Sequence, residues 1–277
     1  AQGAESVALG NSSALSDESF SFGRFCRTGG DGALALGELC RADGLNAVSV
    51  GYDASSNGDY ARSFGYQTSA SGNYSSAMGC YALTSADGAF TLGDQSTTTN
   101  LINSINNSFQ SRFAGGYYLY SNSSASVGAR LLPLSSSWST ISDSTKKENF
   151  IPVDGENILN KVADFDLSTW NYKGQDPKSH RHYGPMAQDF YAAFGQDDLG
   201  YIGNDTLIET ADFLGLNFTA IQALEARTTE LRAQNKALKE EVTALLEMVD
   251  WLKQEVVSLR SEPASRKEDW DVETVMR

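Results

Sequence analysis

The sequence predicts a mainly β chain that turns helical: a parallel β-roll of 14-residue repeats, a β neck, a small α+β domain and a C-terminal coiled coil, associated as an oligomer. Three observations carry that prediction. Seven glycines recur at near-constant spacing through the first third of the chain. A charged junction, Thr140 to Phe150, separates a repetitive, small-residue-rich half from a mixed globular segment. Six heptads then run almost to the end of the 277 residues.

The repeat comes first, because self-similarity at a fixed period decides the architecture. Gly10, Gly23, Gly37, Gly51, Gly65, Gly79 and Gly93 lie 13 and then 14 residues apart. Each follows a large apolar residue: Leu9, Phe22, Leu36, Val50, Phe64, Met78, Leu92. Two before each glycine the residue is small, from Ala8 to Thr91, and four before it is small again. A second glycine falls half a repeat later at Gly30, Gly44, Gly58 and Gly72. Small residues alternating up to a glycine describe a short strand ending in a turn that needs φ > 0. Two strands and two turns make one rung, and seven rungs at about 4.8 Å each give a rod of roughly 30 Å. The interior is narrow. One large apolar residue per rung is left in a stripe that a lone roll does not cover, so an oligomer is expected.

This pattern, over residues 1–97, resembles the head repeats of trimeric autotransporter adhesins of the YadA type. The resemblance implies a trimer of left-handed parallel β-rolls at a cell or particle surface, and the chain departs from it at Phe25 and Cys26. Cys26 and Cys40 both stand three residues after an anchor glycine. They are therefore within disulfide reach, or they fill the small-residue slot that Ala54, Thr68 and Ala82 occupy later. Cys80 sits in another slot and is expected unpaired.

Residues 98–141 read as a connector. Ser96 to Ser104 is rich in Thr and Asn and predicts loop. Phe109–Phe113, Tyr117–Tyr120 and Ala129–Leu132 then alternate as strands, with turns at Gly115-Gly116 and Ser121–Ser124. Pro133 and a serine run lead past Trp138 to an extended, accessible strand, as a cleavage site requires. The tyrosines at 117–120 suit glycan stacking or, more simply, packing.

The junction carries Ser142 with Lys147 five residues on. A serine hydroxyl needs a base, and a lysine serves only where desolvation or a neighbouring cation lowers its pKa; Lys146 is such a neighbour. Ser142 would attack the carbonyl of Ile141, giving an ester that water hydrolyses. A Ser and a Lys at this spacing mean little alone. Ser142-Asp143, Lys147, Asn149-Phe150, then Trp170-Asn171-Tyr172-Lys173 and His182-Tyr183-Gly184-Pro185-Met186-Ala187-Gln188-Asp189, resemble in order the C-terminal intramolecular chaperone domain of endosialidase tailspikes and related fibre proteins. The chain has Thr145 and Lys146 where that family has Arg and Leu, and Gly184-Pro185-Met186 where it has Gly-Phe-Ile. The resemblance implies a domain over residues 142–217 that drives trimer assembly and then cuts itself off, with catalytic Ser142 and Lys147. It also implies that Asp143 and His182 orient the groups or stabilise the oxyanion. His180 and His182 lack a third ligand, so neither a metal nor a cofactor is expected.

The coiled coil spans 218–262, with Ile221, Thr228, Asn235, Val242, Val249 and Val256 at a, and Leu224, Leu231, Leu238, Leu245, Leu252 and Leu259 at d. Valine at a, leucine at d and Asn235 favour two strands in isolation. The roll stripe and both resemblances favour three, and a helix tethered to a trimer inherits its stoichiometry. Pro263 ends the helix, and 263–277 reads as a flexible tail.

A formal net charge of −14 argues against nucleic acid or an anionic membrane surface as partner. No apolar run is long enough to span a bilayer. The repeat is already under way at Ala1, which reads as a fragment of a longer fibre. The whole sequence thus predicts a homotrimeric surface fibre, adhesin or virion tail fibre, for which a cell-surface glycan or host receptor is the expected partner. The alternative is a structural trimer clamp that never cuts.

Overall fold

A computed structural model describes residues 1–261; Pro263 and the expected tail lie outside the described residues. The chain divides into two compact units between Lys147 and Glu148.

The first unit begins as a parallel β-solenoid whose thirteen strands form one continuous sheet. A regular rung is a five-residue strand, a corner, a two-residue strand and a second corner, as in Leu34–Glu38 with Arg41–Ala42 and Val48–Tyr52 with Ser55–Ser56. The register is glycine on glycine: Gly10, Gly23, Gly37, Gly51, Gly65, Gly79 and Gly93 are paired in succession. The first repeat is a residue short, and the strand Phe20–Thr28 absorbs it with an irregularity between Arg24 and Arg27, at the Phe25-Cys26 step.

The glycines do not make the turns. Gly37 lies inside its strand at φ +129°, and a Cβ there would collide with the carbonyl oxygen of Gly51. It is the close approach of stacked backbones that demands glycine. The corners come two residues later, where Phe25, Leu39, Asp53, Gln67 and Tyr81 are left-handed; Glu18, Gly32, Asn46, Tyr60, Tyr74 and Gly88 form the second series. Non-glycine residues there are strained by about 1–2 kcal/mol each. The ladder offsets this: the N–H of Leu39 donates to Arg24 O at 2.9 Å and that of Tyr60 to Leu45 O at 2.7 Å.

Small side chains fill the interior. Ala35, Ser49, Ser63 and Ala77 are fully buried in one column, and Ala54, Thr68 and Ala82 in another. Buried hydroxyls pair across the interior, Ser63 with Thr68 at 2.7 Å and Thr84 with Thr91 at 2.9 Å, while that of Ser21 has no partner. Cys26 and Cys40 are free and take this slot, their thiols donating to Gly37 O and Gly51 O. Burial pushes the Cys40 thiol up to about 11, which keeps it un-ionised at neutral pH. The apolar stripe lies outward, with Leu9 and Phe22 exposed and Leu36, Val50, Phe64, Met78 and Leu92 half-buried.

The roll runs further than its repeat. Within the stretch read as loop, Leu101–Asn103 pairs with Ala82–Thr84, and Phe109–Arg112, expected in the neck, pairs with Phe90–Gly93. An insertion between Gly93 and Leu101 hid this rung, because its strands lie 19 residues beyond their partners instead of 14. Asn103 closes the interior, accepting from Ser108 Oγ at 2.9 Å. An antiparallel meander follows, Tyr117–Tyr120, Gly128–Leu131 and Ser139–Thr140.

The second unit has helix α1 (Gly155–Ala163), capped by Asp154, then a two-stranded hairpin (Ser168–Trp170 with His182–Gly184), helix α2 (Ala187–Phe194) and helix α3 (Thr210–Ser261). Ile158, Phe194 and Ala220 form its core, with Val162, Phe165, Phe190 and Leu216 packed around them. This packing explains why α3 begins at Thr210, well before the heptads: its first turns belong to the core. Further on, Ile221, Leu224, Leu231, Leu238, Leu245 and Leu252 are all exposed on the single chain. No helix among the described residues is long and apolar enough to cross a membrane.

Candidate active site at the Ile141–Ser142 junction

Ser139–Thr140 is the edge of the meander, so one side of its backbone is unpaired. The chain leaves that edge with a last ladder bond, Ile141 N–H to Gly128 O at 3.2 Å. It then enters a single 3-10 turn, Ser144–Lys146, for which Asp143 is the N-cap. The Asp143 carboxylate accepts from the Thr145 N–H and from its hydroxyl, both at 2.9 Å. Those two bonds, the backbone one first, hold the Asp143 carboxyl below its usual range. The same two bonds bend the chain at the turn.

The bend returns Lys147 to Ser142. Lys147 Nζ donates to Ser142 Oγ at 2.7 Å, the separation across which a proton moves between nucleophile and base. Both side chains are exposed. The junction opens on a cleft of about 400 Å³ lined by Ser139, Thr140, Ile141, Ser142, Asp143 and Lys146, together with Arg130 and Leu132 from the meander.

Ile141, Ser142, Asp143 and Lys147 are thus brought together, all within the first unit. His182 belongs to the second. Its Nε2 lies 3.3 Å from Gln175 Oε1, and its ring stacks on Trp170 at 4.7 Å with Tyr172 edge-on. The described contacts of His182 are those of a hairpin side chain packed among aromatics. His180 Nδ1 instead meets Ser179 Oγ at 2.9 Å.

Arg130 is the residue that sequence reasoning passed over. An arginine inside a short alternating strand carries no signal of its own, and its place beside Ser142 follows from pairing with Ser139.

Residues 142–199 match the family model described as the chaperone of endosialidase, which supports a C-terminal intramolecular chaperone domain beginning at the junction serine. The solenoid lies outside the match. No curated protein matches the chain.

Proposed function

We propose that the chain is part of a homotrimeric surface or tail fibre whose C-terminal chaperone aligns three chains and then cuts itself away between Ile141 and Ser142. The observation that carries this reading is the 2.7 Å contact of Lys147 Nζ with Ser142 Oγ, at the first residue of the matched segment. Lys147 as free amine takes the proton of Ser142 Oγ, which attacks the carbonyl carbon of Ile141. The proton passes to the departing amide nitrogen, and water hydrolyses the ester.

Exposure of Lys147 on the single chain gives the reaction its timing. A lysine works as a base in a site closed off from water, and that closure is what the exposed side chain still lacks. Association of three chains supplies that, through the exposed heptad face and the outward apolar stripe. The stripe also fits the YadA-like arrangement of the repeats, with a cell-surface glycan or host receptor as the fibre's partner.

The same exposure favours the second reading, a clamp that trimerises and never cuts. Ser142→Ala and Lys147→Ala separate the two. Both variants should still associate and run as intact chains of 29.9 kDa on a denaturing gel, while the parent yields two fragments of roughly half that mass. Cutting should be first-order and independent of dilution once trimers exist, because nucleophile and bond share one chain. An intact parent after complete association, or a cut in Ser142→Ala, leaves the clamp.

A further inference from the structure

The cleft beside Ser142 also holds an arginine that the proton transfers from Ser142 to Lys147 and on to the amide nitrogen do not involve. Arg130 occupies the middle strand of the meander, in register with Tyr118 on one side and Ser139 on the other. Its guanidinium carbon lies 5.7 Å from the Tyr118 ring and 5.5 Å from that of Tyr120. Its Nε is buried without a hydrogen-bond partner. Among the described residues no ion pair includes it. Ile141 lies two residues beyond Ser139 on the same face, a diagonal of about 7–8 Å that a long side chain spans. Arg130, Ile141 and Ser142 line one cleft.

A buried donor left unmet on a charged group is costly, and the residues that line the cleft offer it no free anion. Asp143, the one acidic side chain among the residues lining the cleft, is occupied by Thr145 and would depart with Ser142. Hydrolysis supplies what is missing. The C–N bond between Ile141 and Ser142 breaks, the carbonyl carbon takes the oxygen of water, and Ile141 ends as an α-carboxylate while Ser142 leaves with the amino group.

We propose that Arg130 is the receptor for that carboxylate. The guanidinium fork, bracketed by two tyrosines, takes the new C-terminus by charge-assisted hydrogen bonds and pins the end of the fibre in the cleft. The proposal rests on the self-cleavage reading above.

The test follows full-length parent, Arg130→Gln and Arg130→Lys through cutting, then exposes the products to a carboxypeptidase and reads the N-terminal fragment by mass. Each protein is first carried to complete cutting, so that only the trimming of the finished N-terminal fragment is compared. Ile141 should be released about tenfold faster or more from the glutamine variant than from the parent, with the lysine variant between them. Equal trimming of all three overturns the proposal and leaves self-cleavage standing. So does a glutamine variant that assembles but is not cut, because the guanidinium then acts before any carboxylate exists. If the glutamine variant fails to assemble, parent against lysine decides by the same criterion. A parent that stays intact ends the self-cleavage reading, and this proposal with it.

Discussion

Single residues in the first unit are governed by how closely backbones stack. Gly37 has a neighbour's carbonyl where a Cβ would stand and a φ of +129°, so Gly37→Ala should cost about 3 kcal/mol or more, measured by denaturant unfolding. Asp94 shows a second kind of control. Burial opposes its ionisation, but donors from the Ala114 N–H, the Ser96 hydroxyl and Arg112 outweigh it and hold the carboxyl at about 2. The 3.1 Å pair with Arg112 ties the strand Phe90–Gly93 to the last rung. Because the folded value lies below the ordinary 3.8, the group's contribution is fully present above that pH and is lost as pH falls through about 2. The stability gap between the parent and Asp94→Asn should therefore close across that interval. A gap independent of pH there would mean that the carboxylate's charge is irrelevant.

At the scale of elements, the rung is the unit, and what one rung places on a corner the next repeats. Tyr52 stacks on Tyr66 at 5.2 Å, and Tyr60 on Tyr74 at 5.1 Å, so two ladders of rings stand outside the interior. Replacing Tyr60, Tyr66 or Tyr74 should leave cutting unchanged; lost cutting would tie the roll to the active site. In the second unit α3 serves two purposes, packing its first turns on α1 and α2 and offering its later turns outward. Phe194→Ala, at the centre of the small core, should cost about 3–5 kcal/mol. The roll's own melting transition should stay where it is.

For the whole molecule the question is association. Exposed heptad leucines and an outward-facing apolar stripe call for partners, and the proposed trimer would cover both. Sedimentation of the uncut Ser142→Ala protein should give a trimer. A dimer would restore the two-strand preference of valine at a and leucine at d, and remove the trimeric roll. Leu231→Glu or Leu238→Glu should abolish association and, through it, cutting. A monomeric variant that is still cut would show that assembly does not create the base.

Sequence alone determined what repeats. Period, glycine register, small interior and heptads recur at fixed spacing, so each copy reinforces the last, and the roll and helix are legible without coordinates. The order of motifs from Ser142 to Asp189 likewise pointed to the chaperone domain before any geometry. Tertiary structure decided what occurs once. The corners fall on Leu39 and Asp53 rather than on glycine, because ladder bonds from the neighbouring rung hold them left-handed. Leu101–Asn103 is strand because Ala82–Thr84 offers it an edge, whatever its Thr/Asn-rich surroundings suggest. Ser142 and Lys147 meet because Asp143 caps one turn, and Arg130 joins them because its strand pairs with Ser139. Each of these is set by partners that no local pattern announces: a contact between distant or unrepeated residues leaves no period to read.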